Sequence, residues 1–209
     1  MPPTRSDDRR GACTAFDGPR RIAAGPLEEV ARAARAAFGR STTSTVLVFD
    51  DATGEQIDLD YGGTEAEMLR GLMAREAARL RGEAEPTPPR GPGRPRLGVV
   101  AREVTLLPRH WQWLAGQPGG ASVALRRLVD EARRASVGRD RVRRSQEVAY
   151  RVMAALAGNL PGFEEAIRAL FAGDAARFAA HVAAWPPDIA AYASRLAGDA
   201  LGQTGSSLV

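Results

Sequence analysis

With 209 residues, 44% of them hydrophobic and 26% charged, the chain has the composition of a globular protein, long enough for one large domain or two small ones. No run of eighteen apolar residues occurs and the first thirty residues are rich in Arg and Asp, which argues against a membrane span or a secretory signal and makes the cytoplasm the expected compartment. Cys13 is the only cysteine and His110 and His181 are the only histidines, so no internal disulfide, metal site, cofactor or catalytic group is expected.

All 29 basic residues are arginine, and their distribution is more informative than the net charge of +4. Residues 1–89 carry 12 Arg against 15 acids and residues 152–209 carry 3 against 5, whereas residues 90–151 carry 14 against 5. A basic block between two acidic regions is an electrostatic footprint for a polyanion, or else a solvated arginine-rich helix surface.

In chain order, Cys13–Phe16, a turn at Asp17-Gly18-Pro19 and Arg20–Ala24 predict a hairpin. Pro26 with Glu28 and Glu29 opens a helix whose apolar positions are Leu27, Val30, Ala31, Ala34 and Phe38, with Gly39 as its stop. Thr45–Phe49 and Gln56–Tyr61 predict two further strands, joined by a tip in which Gly54 supplies a positive φ and the aspartates face water. Thr64 and Glu67 form a capping box at the start of another helix. The order ββαββα predicts an α+β fold: a small antiparallel sheet carrying helices. Five prolines within 83–96 predict a linker. A strand at Val99–Leu106, a helix at Arg109–Gly116 and a helix capped by Ser122 follow, with Leu125, Leu128, Val129 and Ala132 as the second helix's apolar stripe and Gly138 as its break. A helix at Asp140–Ala157 and an all-α helical tail complete the chain. The expected division is 1–81 as an α+β domain, 82–98 as linker, 99–137 as a strand-helix-helix segment, 138–202 as a helical region and 203–209 as a disordered tail.

No phosphate loop, dinucleotide fingerprint or nucleophile elbow is present, and the acids Asp50, Asp51, Glu55, Asp58 and Asp60 lack calcium-loop spacing. An enzyme is therefore not expected. Trp111, Trp113 and Trp185 are expected as core or interface anchors. Trp111 and Trp113, two apart on one helix, face nearly opposite ways.

Arg90-Gly91-Pro92-Gly93-Arg94-Pro95-Arg96 is similar to an AT-hook, with Pro92 standing where that family has arginine. The resemblance implies that Arg94 enters a narrow A·T minor groove. Val104-Thr105-Leu106-Leu107-Pro108, Trp111, Leu114 and Gly120 through Val129 resemble a ribbon-helix-helix DNA-binding module. That resemblance implies Val104 and Leu106 in a core, Glu103 and Thr105 facing bases, and a phosphate held by Ser122 and the N–H groups of 121–123. Over almost its whole length the chain also resembles a bacterial family, domain-of-unknown-function family 2239, through Cys13–Phe16, Leu47–Asp51, Gly98–Trp111 and Leu160–Glu165. That likeness implies no activity.

The resulting expectation is a homodimeric bacterial DNA-binding regulator with no membrane association. Its DNA-contacting residues would be Arg90, Arg94, Arg96, Arg102, Thr105, Arg109, Ser122, Arg126, Arg127, Arg133 and Arg134. The alternative is a protein-protein interaction module that uses the basic surface for docking and has no catalytic activity. From the linker composition, limited trypsin digestion should cut first at Arg90 or Arg96 and leave compact flanks. First cuts within 64–80 or 122–134, mapped by mass spectrometry, would overturn this division.

Overall fold

The computed structural model describes residues 11–40, 45–83 and 103–202. The expected tail at 203–209 and all of the expected linker past 83 lie outside them. Two compact units are formed, one from Met1–Leu80 with Arg139–Val209 and one from Arg81–Gly138.

In the first unit, β1 (Ala12–Asp17) and β2 (Arg20–Pro26) form the expected hairpin, turning at Gly18 with φ +56°. β3 (Val46–Asp50) pairs antiparallel with the other edge of β1, giving the order β2-β1-β3. Alternation along a strand sends neighbouring side chains to opposite faces. Cys13, Ala15 and Val48 therefore pack under α1 (Leu27–Phe38) against Val30 and Ala34, while Phe16 and Phe49 enter the core on the other face. α1 ends at Gly39, as its composition predicts.

The expected strand at Gln56–Tyr61 is reduced to one bridge, Phe49↔Gln56, with the Ile57 N–H donating to the Val48 carbonyl at 2.7 Å. Ile57, Leu59 and Tyr61 instead pack towards Ala31, Met68 and Leu72, and Tyr61 stacks on Phe38 with centroids 4.3 Å apart. Apolar packing against helices outcompetes a longer ladder here. The capping box at α2 (Glu65–Glu83) is complete: Glu67 N–H donates to Thr64 Oγ1 at 3.3 Å, and Thr64 N–H donates to the Glu67 carboxylate at 2.7 Å. The Thr64 N–H, together with the Thr64 hydroxyl donating to the same carboxylate at 2.8 Å, holds the Glu67 carboxyl below the usual range.

The core on the Phe16 and Phe49 face is completed by residues far along the chain: Val148, Ala149, Val152 and Met153 with helices of the C-terminal region. After α3 (Pro108–Ala115) comes α4 (Gly120–Ala157), of which residues 139–157 belong to this unit. α5 (Phe163–Ala172), α6 (Ala175–Val182) and α7 (Pro187–Leu196) follow. The expected break at Gly138 does not occur; α4 runs through it for 38 residues. An interior glycine costs only about 1 kcal/mol, and the flanking arginines are good helix formers. Buried polar groups at the helix ends are satisfied across elements. Ser145 Oγ donates to Leu196 O at 2.7 Å and accepts from Ala200 N–H at 3.2 Å, and Gln146 Nε2 donates to the last carbonyls of α5. Trp185 is core, its indole N–H bonded to Pro161 O at 2.9 Å.

The tip after β3 corrects one expectation. Gly54 has the predicted positive φ, +69°, and a Cβ there would lie 2.7 Å from the Val148 carbonyl, so the turn also needs glycine for its approach to α4. Asp51, however, does not face water; it is 3% exposed. Its Oδ1 accepts from Thr14 Oγ1 and from Tyr192 Oη, each at 2.8 Å, and its Oδ2 accepts from Arg195 at 2.7 Å. A buried carboxylate needs such donors, and three are in place. Burial and this carboxylate push the Tyr192 hydroxyl well above its ordinary range.

Two outcomes follow from this geometry. Asp51→Ala strands three donors and should cost about 3–5 kcal/mol in urea unfolding, whereas Tyr192→Phe, losing one bond to a charged group, should cost about 1.5–3 kcal/mol. The reverse ranking would remove Asp51 from the centre of the network.

Cys13 is 2% exposed; burial, then the nearby Asp50, Asp51 and Glu76, pushes its thiol from 9.0 to about 12. The folded state thus favours the neutral thiol. Its contribution to stability is intact below pH 9 and is lost as pH rises towards 12, by up to about 1.4 kcal/mol per pH unit. Native protein at pH 8 should leave a thiol reagent unconsumed until urea is added; rapid native labelling would contradict this placement.

Candidate nucleic-acid interface

The second unit contributes α3 and residues 120–138 of α4. Pro108 occupies the first turn of α3, where its missing N–H costs nothing. The link to α4 runs through Gly119 and Gly120, with φ +82° and +75°; a Cβ on Gly119 would meet the Val123 side chain at 3.1 Å. α4 starts at Gly120, so Ser122 lies inside its first turn rather than at the cap, exposed and with no acid beside it in that turn.

The strand expected at Val99–Leu106 is not formed by its described part. Residues 103–107 belong to no strand, Val104 is 53% exposed rather than core, and Thr105 and Glu103 are exposed. A strand exists only with a neighbour to bond, and the described chain offers these residues none. Trp111 and Trp113 do face different ways, and both remain exposed, at 43% and 52%. Among the described residues of this unit, Leu114 and Ala124 are the only fully buried apolar side chains.

The candidate arginines divide into three groups. Arg90, Arg94, Arg96 and Arg102 lie outside the described residues. Arg109 is exposed in the first turn of α3. Arg126, Arg127, Arg133 and Arg134 are exposed on α4. Steps of seven residues place Arg126 above Arg133 and Arg127 above Arg134, two adjacent rows with a rise of about 10 Å between members. Their contacts are shallow. Arg126 and Arg134 donate through Nε to carbonyls of their own helix, at Ser122 and Asp130, and Arg127 lies 3.9 Å from Glu131 with both side chains more than half exposed.

Farther along α4, in the first unit, three arginines have partners. Arg141 pairs with Asp199 at 3.6 Å, Arg143 with Asp140 at 3.0 Å, and Arg151 donates to the Thr53 carbonyl at 2.8 Å. The partnerships of Arg141 and Arg151 span 58 and 98 residues, so no local sequence signal reveals them. The acids of the tip and α2 line a shallow cleft of about 240 Å³, with Asp50, Glu55, Asp58 and Glu76 beside Arg75. No group of three or more His, Cys, Asp or Glu side chains among the described residues is arranged to hold a metal ion. No described helix is long and apolar enough to cross a membrane.

The molecule is thus an α+β protein whose middle segment presents arginines outside the main core. The family DUF2239, uncharacterized proteins conserved in bacteria, matches residues 12–197, and the chain belongs to that family. No curated protein and no solved structure matches it.

Proposed function

We propose that this protein binds double-stranded DNA as a homodimer and acts as a transcriptional regulator in the bacterial cytoplasm. The observation that carries the reading is the pair of exposed arginine rows, Arg126 with Arg133 and Arg127 with Arg134, which take no part in the buried core. Guanidinium groups on a regular helical spacing suit a phosphate backbone, where several weak charge contacts act together and release counterions. Ser122 and the N–H groups at the start of α4 add an acid-free helix terminus, favourable to a phosphate. Arg109 extends the basic surface on α3, and Arg90, Arg94, Arg96 and Arg102 would lengthen it along the chain. Thr105, on the exposed segment before α3, is the proposed reader of base edges.

A mobility-shift titration on random duplex at two salt concentrations tests the reading. Wild type should show a steep salt dependence, and Arg126→Ala and Arg127→Ala should each lower the log–log slope by about 1 with little change between sequences. Both are exposed, so stability should change by no more than about 0.5 kcal/mol. Thr105→Ala should relax sequence preference and leave the slope unchanged. No duplex binding at low salt would overturn the reading in favour of a docking face for an acidic protein.

A further inference from the structure

We draw no further inference here: the strongest candidate, the shallow cleft of the first unit between the tip after β3 and α2, is lined by the acidic cluster Asp50, Glu55, Asp58 and Glu76, and no second feature among the described residues points to a ligand there.

Discussion

The carboxylate of Asp51 is the point on which the first unit depends. It is a buried charge, and burying one without partners is prohibitive, so the fold must deliver donors to it. They arrive from Thr14 on β1 and from Tyr192 and Arg195 on α7, separated from Asp51 by 37, 141 and 144 residues. The sheet and the last helix are therefore held in one register by directional bonds, which apolar packing alone would leave free to slide. Arg195, also lying 5.0 Å from the Tyr192 ring, keeps part of its side chain at the surface, which lowers the desolvation cost of the pair.

Around that point the packing is consistent at every level. Tyr192 carries its hydroxyl to Asp51 while its ring sits 5.2 Å from Phe16 and 6.4 Å from Phe49, so one side chain joins the polar network to the apolar core. Val148 and Val152 pack on the same core, and the close approach of Gly54 to Val148 sets the tip of β3 against α4. Ser145 and Gln146 then bond to the ends of α7 and α5 from a single turn of α4. One helical segment thus satisfies polar groups on two others, and a shift of that segment would leave several of them unpaired at once.

Local signals made most of this fold legible. The hairpin at Gly18, α1 with its stop at Gly39 and the Thr64–Glu67 capping box each follow from residues within one turn of each other. What was illegible is non-local. Asp51 reads as one more acid in a turn, because Thr14, Tyr192 and Arg195 give no sign in sequence that they converge on it. The short ladder at Gln56 has the same origin: alternation predicts a strand, and the demand of α1 and α2 for cover on Ile57 and Leu59 decides otherwise. Gly138 shows the limit of a breaker rule, since one glycine among strong helix formers is too weak to end a helix. In the candidate interface, helix positions and the arginine spacing were legible; which arginines the fold itself uses was not.

That last distinction bears on how a basic block should be interpreted. Summed charge treats the arginines of residues 90–151 alike, yet the structure divides those it describes. Arg141 and Arg151 reach residues on other elements of the first unit, and Arg143 pairs with neighbouring acids on α4. An arginine already engaged gives up those bonds when it moves to a phosphate, so its net gain from a polyanion is small. Arg126 and Arg134 bond through Nε to carbonyls one turn back, an arrangement that leaves the side chain on the surface of its own helix and ties it to no other element. For these residues a polyanion adds charge pairing without dismantling tertiary structure. What a polyanion would gain from the basic block is therefore set by which arginines the fold has already committed, and Arg126 and Arg134, in the segment of α4 that contributes least to the buried core, are tied only to their own helix.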